Sequence, residues 1–231
     1  MGIGKKIKMA IGAVAVAVAG GSSAFWMHER RLYHSSIVDY SGQEMGKTVI
    51  VGDTGQKGSQ LDAVVNEMRR VCPKSVLVTG DLQYPSGPVN IKDFNEYIKK
   101  PLENLCNMHE WTFLQDGNHG KYALAGRDWM ARSFLGRNVS KRIIYPNYYY
   151  GVIFSDHCVL GLETSVYEVK IGDPKIQKRQ VEFAQKFLSD KRCEGKTLIG
   201  FGHHPIFSSG GHGDATSRDF IWFYRNVLKG K

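Results

Sequence analysis

The hydrophobic pattern of the chain is a series of short apolar runs, each followed by glycine and polar residues. Thr48 to Gly55 reads TVIVGDTG, and Ser75 to Tyr84 repeats the pattern as SVLVTGDLQY. Trp111 to Gly120 reads WTFLQDGNHG, and Leu198 to Pro205 reads LIGFGHHP. Such runs are typical of buried strands. Four strands are therefore predicted to present oxygen and nitrogen donors at their C-terminal ends, where α/β sheets bind ligands.

Helical spacing of apolar residues, and a turn between two further apolar runs, fill in the other elements. The predicted helical segments are 59–71, 93–105 with a break at Pro101, 124–135, 177–189 and 217–228. Strands over 147–154 and 158–163 flank Ser155-Asp156, which indicates an antiparallel hairpin. Parallel units followed by a hairpin favour a mixed α/β fold, with one sheet packed on a second sheet and helices outside.

The first 31 residues have a different pattern from the rest of the chain. Three lysines within residues 5–8 precede an apolar run, Met9 to Ala19, and a small-residue stretch at 20–24. This is the order of a signal peptide. Extended through residues 25–27, the run nearly reaches the ~20 residues of a transmembrane helix. Residues 1–31 are therefore predicted to be a signal peptide or an N-terminal membrane anchor. Either would export the remainder, as a periplasmic, secreted or outward-facing anchored protein.

The composition of the chain limits the classes of protein to which it can belong. The 231 residues are 42% hydrophobic and show no linker or low-complexity tract, so 45–231 is predicted to be one globular domain. The net charge is +9, but no basic run with interleaved aromatics indicates nucleic-acid binding. Four cysteines without a CxxC pair exclude a zinc ribbon. They leave open one or two disulfides in an exported chain, or buried free thiols.

The polar residues that follow the predicted strands have the chemistry of metal ligands. Their carboxylate, amide, phenol and imidazole groups belong to Asp53, Asp81, Tyr84, Asn118, His119, His203, His204 and His212. Mixed oxygen and nitrogen donors suit Fe, Mn or Zn rather than Ca. A single Gly-Asp pair is more often a simple turn, but four such signals, all at strand ends, favour a metal site. A carboxylate shared by two ions would form a clamp for phosphoryl oxygens.

These motifs resemble those of the calcineurin-like metallophosphoesterases and, within them, of the purple acid phosphatase branch. GDTG at 52–55 resembles the first motif, and GDLQY at 80–84 matches GDxxY. GNHG at 117–120 matches GNH, and GHHPIFSSGGHG at 202–213 resembles the fourth motif. The resemblance implies a four-layer αββα sandwich of two mixed sheets flanked by helices.

The resemblance also implies a dinuclear metal centre, with Fe paired with Fe, Zn or Mn. Asp53 and Tyr84 would bind the first ion, Asp81 would bridge both ions, and Asn118 and His203 would bind the second.

Three further histidines have implied roles around that centre. His119 and His212 would lie near the leaving group as proton donor and phosphate contact, and His204 would hydrogen-bond outside the ligand set. The implied reaction is in-line attack of a metal-bound hydroxide on a small phosphomonoester or a phosphoprotein. A phosphodiesterase or protein phosphatase of the same superfamily is the alternative activity, although Tyr84 and His212 favour the acid phosphatase branch.

Three departures from the family pattern support another interpretation. Thr54 stands where Trp is common, and Gly120 stands where Asp or Glu is usual. The fifth motif, GHxH, with one histidine for each ion, does not occur in the sequence. The resemblance therefore implies a C-terminally incomplete domain with fewer metal ligands. A catalytically inactive relative that acts as a membrane-tethered binding domain is the competing hypothesis.

Overall fold

A computed structural model describes residues 36–55, 58–85, 87–88, 90–119, 140–168, 174–211 and 213–229. These residues all belong to one compact unit, Ser35–Lys231. The predicted signal peptide or anchor in 1–31 and the predicted helix over 124–135 lie outside the described residues. Within the described ranges, no helix is both long enough and apolar enough to cross a membrane.

Eight strands in the described part of the chain form two four-stranded sheets. In chain order they are β1 (Ser36–Tyr40), β2 (Thr48–Val51), β3 (Ser75–Val78), β4 (Trp111–Leu114), β5 (Ile143–Ile144), β6 (Tyr150–Phe154), β7 (His157–Gly161) and β8 (Thr197–Phe201).

The first sheet is entirely parallel, with the strand order β2-β3-β4-β5. Its register places Val51 beside Val78 and Val78 beside Leu114, so β2, β3 and β4 end at the same edge. Every residue of β3 and β4 is buried, as expected for parallel strands covered on both faces. The three strands predicted from the apolar runs are present in this sheet.

The second sheet is mixed, with the strand order β1-β6-β7-β8. The antiparallel pair β6 and β7 turns at Ser155-Asp156 and places Tyr150 opposite Gly161, so the predicted hairpin is confirmed. Strand β8 runs parallel to β7. The strand that precedes His203 therefore belongs to this sheet, whereas β2, β3 and β4 belong to the parallel sheet.

The hydrophobic core fills the space between the two sheets. Its buried residues come from both sheets and the segments beside them: Met45, Leu77, Trp111, Phe113, Ile144, Tyr150, Val152, Phe154, Val159 and Phe201. The ring of Phe154 contacts those of Trp111 and Phe113 edge-on, with centroids 5.1 and 6.0 Å away. Edge-to-face packing of this kind is the favoured geometry for aromatic pairs. The predicted α/β fold of two packed sheets is thus confirmed.

Helices flank the sheets. Among the described residues the α-helices are α1 (Ser59–Val71), α2 (Ile91–Phe94), α3 (Lys100–Leu102), α4 (Pro174–Leu188) and α5 (Arg218–Phe223). A π-helical turn, Asn95–Lys99, joins α2 to α3, and another, Tyr224–Leu228, extends α5. The predicted break at Pro101 is wrong, because the helical path that begins at Ile91 continues through Pro101 to Leu102.

Helix α4 packs on the mixed sheet through one apolar face. Its buried residues recur at helical spacing: Ile176, Gln180, Phe183, Ala184 and Phe187. Gly151 in β6 makes room for this helix, since a Cβ atom there would lie 2.2 Å from the ring of Phe187.

All four cysteines form disulfides, Cys72 with Cys106 and Cys158 with Cys193. The alternative of buried free thiols is therefore wrong.

Candidate metal centre

The two acidic residues of the candidate site lie just beyond strands β2 and β3. The amide of Asp53 donates to the carbonyl of Gly80, and the amide of Asp81 donates to the carbonyl of Asp116, both at 3.0 Å. These bonds extend the parallel ladder past the strand ends. Asp53 and Asp81 then adopt the left-handed conformation, with φ of 53° and 51°. Aspartate tolerates this conformation better than most residues, and it turns the chain out of the sheet at both carboxylates.

Three side chains converge at this point. Ligand atoms of Asp53, Asp81 and His203 all lie within 4.8 Å of one another. His203 Nε2 is 3.6 Å from Asp81 Oδ2. Asp81 is only 3% exposed, and burial lowers the pKa of His203 although the Asp81 charge opposes that shift. The aspartates come from the parallel sheet and the histidine from the mixed sheet, so the site joins the ends of both sheets.

Two glycines allow the chain to pass this close to Asp81. A Cβ atom on Gly117, whose φ is 75°, would lie 2.3 Å from the amide nitrogen of Asp81 and 2.4 Å from its Oδ1. Gly80 has a φ of 130°, and a Cβ atom there would lie 2.6 Å from the Cα of Gly117. Only glycine combines these dihedrals with such an approach. The close approach to Asp81 therefore gives a steric reason for glycine at Gly80 in GDLQY and at Gly117 in GNHG.

Tyr84 lies beside this group. Its hydroxyl donates to Asp53 Oδ1 at 2.8 Å, and its ring edge contacts the ring of His119 at 4.5 Å between centroids. Burial, followed by hydrogen bonding to the two aspartates, raises the pKa of the Tyr84 phenol well above its ordinary value. Without an ion, Tyr84 is thus a protonated donor to Asp53.

Asn118 and His119 follow the end of β4, and His119 contacts Asp81. The backbone amide of His119 donates to Asp81 Oδ1 at 3.1 Å, and its Nε2 lies 3.9 Å from Asp81 Oδ2. His119 Nδ1 donates to the carbonyl of Pro85 at 3.1 Å, which fixes the orientation of the ring and leaves Nε2 on the side of Asp81. Asn118 Oδ1 is buried and has no hydrogen-bond partner among the described residues.

His204 has partners of its own away from the aspartates. Its Nδ1 lies 2.9 Å from Thr164 Oγ1, its Nε2 lies 2.9 Å from Glu168 Oε1, and its ring contacts that of His203. The two ring nitrogens of His204 thus face Thr164 and Glu168, and its place outside the ligand set stays a prediction. His212, the predicted phosphate contact, lies outside the described residues.

Two residues beside the candidate site, Tyr145 and Asp116, were not predicted from the sequence. The Tyr145 hydroxyl donates to Asp116 Oδ2 at 2.5 Å, and Asp116 directly precedes the GNH motif. Burial, together with the nearby Asp116 charge, raises the pKa of the Tyr145 phenol well above its ordinary value, so the phenol stays protonated. The only sequence signal for Asp116 was an acidic residue at the end of an apolar strand.

The donor set fits a metal ion. It combines two carboxylates and an imidazole at short mutual distances with a phenol and an amide oxygen, the mixture that suits iron, manganese or zinc. The unpartnered oxygen of Asn118 is the type of buried acceptor that an ion or another donor must satisfy. The described residues that could hold ions are therefore Asp53, Asp81, Tyr84, Asn118 and His203.

Two packed sheets with a group of possible metal ligands where their strands end define an α/β protein with a candidate metal centre at the junction of its sheets. The chain belongs to the calcineurin-like phosphoesterase family, whose model matches residues 46–228. No curated protein matches the chain.

A solved structure with a similar fold is that of GAP50, described as the anchor in the inner membrane complex of Plasmodium. The TM-score is 0.59 and the sequence identity 14%, and the match covers 78% of this chain and 62% of the GAP50 chain. The chain thus spans less than two thirds of its neighbour's length. At this identity the likeness shows the fold alone.

Proposed function

We propose that this protein is a metal-dependent phosphomonoesterase of the acid phosphatase type, acting on a small phosphomonoester or a phosphoprotein. The observation that carries the proposal is the approach of Asp53, Asp81 and His203 to within 4.8 Å of one another. Family membership supports hydrolysis of phosphoesters. The position of Tyr84, hydrogen-bonded to Asp53, supports the acid phosphatase branch in particular.

In this proposal the residues divide between two ions, an iron and a second ion of Fe, Zn or Mn. Asp53 and Tyr84 would hold the first, Asn118 and His203 would hold the second, and Asp81 would serve both. When bound, the ions supply positive charge that polarises phosphoryl oxygens and lowers the pKa of a bound water. Because Asp81 is 3% exposed and fixed by two backbone contacts, its carboxylate is preorganised for a shared role.

His119 is proposed as the proton donor to the departing alcohol. The hydrogen bond from its Nδ1 to Pro85 orients the ring, and Tyr84 packs against it. Nε2, on the side of Asp81, is then the atom that releases the proton. His212 is proposed to contact the phosphate.

The first test combines elemental analysis with hydrolysis of p-nitrophenyl phosphate on one sample of the full chain. We expect about two metal ions per chain, with turnover. Asp81→Asn should abolish both, because an amide cannot replace a carboxylate shared by two cations. Asp62→Asn, on the exposed face of α1, is the matched control and should leave both unchanged. Retention of two ions by Asp81→Asn would refute the bridging role.

A catalytically inactive binding domain is the second candidate. It is favoured by the small ligand group, since three acidic or histidine residues converge in the described part of the chain and the sequence has no GHxH. The absence of both metal and turnover from the wild-type sample would support this candidate.

Export is proposed for either function. Two disulfides in one domain are typical of an oxidising compartment. Residues 1–31 are proposed to direct export as a signal peptide or a membrane anchor.

A further inference from the structure

We propose that Tyr145 is a positioning residue of the metal centre, which acts through Asp116 on Asp81. The proposal rests on the metal-binding function proposed above. It concerns a contact between a phenol and a carboxylate, neither of which is a proposed ligand or belongs to one of the four motifs.

The first link is the hydrogen bond from the Tyr145 hydroxyl to Asp116 Oδ2. Tyr145 is 2% exposed and Asp116 is 5% exposed, so both polar groups are shielded from water. A buried carboxylate is costly unless it is hydrogen-bonded, and bonds to a charged acceptor are the stronger ones. The phenol therefore fixes the Asp116 side chain beside the end of β4.

The second link runs through the backbone of residues 116–119. The Asp116 carbonyl accepts from the amide of Asp81, Gly117 packs against the Asp81 carboxylate, and the amide of His119 donates to Asp81 Oδ1. This segment thus wraps Asp81 on two sides. Asp81 itself has a positive φ, a conformation that persists only where the surrounding structure holds it. Removing the hydrogen bond from Tyr145 to Asp116 should loosen that hold.

Tyr150 provides a close comparison. It is fully buried like Tyr145, and its hydroxyl donates to the carbonyl of Leu114 at 2.8 Å. That bond ends within β4, before the segment that wraps Asp81. Tyr145→Phe and Tyr150→Phe therefore each remove one buried hydroxyl and one hydrogen bond, but only Tyr145→Phe removes a contact to the wrapping segment.

The test compares the full-length wild type with these two variants, first without metal. Amide hydrogen exchange of Asp81 and His119 should be at least about 10-fold faster in Tyr145→Phe and near wild type in Tyr150→Phe. In Zn²⁺ titrations by calorimetry, Tyr145→Phe should bind about 10- to 100-fold more weakly, the usual effect of losing a residue that orients a ligand. Tyr150→Phe should bind like the wild type.

The outcomes separate the positioning role from the proposed function. Equal changes in both variants, or none at Asp81 and His119, would mean that Tyr145 only packs the core. A wild type that binds no Zn²⁺ would refute the proposed metal site, while the exchange comparison would still decide the positioning role. If Tyr145→Phe does not fold, Asp116→Asn takes its place. It should also speed exchange at Asp81, and unchanged exchange there would overturn the proposal.

Discussion

At the scale of single residues, Gly117 is the described glycine of the candidate site that leaves the least room for a Cβ atom, because Asp81 lies against it. Gly117 carries both a positive φ and a steric requirement, since its two nearest neighbours belong to a proposed metal ligand. Gly195 has almost the same dihedral, 74°, but a Cβ atom there would meet nothing within 4 Å. The two glycines therefore separate the cost of the backbone conformation from the cost of the contact.

Gly117→Ala should cost more stability than Gly195→Ala. A left-handed alanine costs about 1–2 kcal/mol, and the overlap with Asp81 at Gly117 should add about 1–3 kcal/mol. Urea unfolding of both variants measures the difference in the free energy of unfolding. Equal losses would mean that the segment shifts freely away from Asp81, and would argue against a preorganised carboxylate.

At the scale of elements, the contact between β6 and α4 shows how a small residue sets the distance between two layers. Gly151→Ala should destabilise the protein by about 1–3 kcal/mol, because the new methyl group would overlap the ring of Phe187. Gly200→Ala in β8, where a Cβ atom meets nothing within 4 Å, is the control and should be nearly neutral. Thermal unfolding followed by circular dichroism measures both changes.

A double variant makes that prediction sharper. Phe187→Leu alone should destabilise the protein by removing buried ring contacts. Combined with Gly151→Ala it should cost less than the two single losses together, because the smaller side chain makes room for the methyl group. Strict additivity would show that the two side chains do not meet.

The same scale shows why some elements could be predicted and others could not. Strands β2, β3 and β4 are short and mostly apolar, and the helical period of α4 is evident in its sequence. Strand β1 is half exposed along its length, and it pairs with β6, more than 100 residues later, so no local pattern indicates it. Strand β5 has only two residues. The pattern of β8 predicted a strand, but nothing local assigns it to the second sheet.

The residues of the candidate site also differ in whether the sequence alone could indicate them. The donors Asp53, Asp81 and Asn118 follow apolar runs and could be found from the sequence. Tyr145 lies among other tyrosines in a stretch that looks like ordinary core. Its partner Asp116 is 29 residues away, so only the folded chain shows that the two meet.

At the scale of the whole molecule, Arg192 joins distant parts of the chain. It contacts Asp39 in β1 at 2.8 Å and Asp190, which follows α4, at 2.7 Å. Hydrogen bonds to Arg192 lower the pKa of Asp190 to about 2, and those to Ser41, with a smaller effect from Arg192, lower the pKa of Asp39. Arg192 and Asp39 are exposed and Asp190 is partly exposed, so the stabilisation is small.

Arg192→Leu should therefore lower the melting temperature slightly at pH 6. Because the folded pKa of Asp190 is below its unfolded value of about 4, the stabilisation is complete above pH 4 and disappears as the pH falls through about 2. Melting curves of wild type and variant should converge over that interval. A difference that stays constant down to pH 2 would show that Arg192 stabilises through packing alone.

The junction of the two sheets at the candidate centre also has a consequence for the order of assembly. Asp53 and His203 lie 150 positions apart in the chain, and they meet only when the parallel sheet has docked on the mixed one. Contacts of such long range close late, since their entropy cost precedes any gain. In a newly synthesised chain the candidate centre would therefore stay incomplete until the two sheets have packed together. Metal affinity would then report the completion of folding, whichever folding step is the slowest.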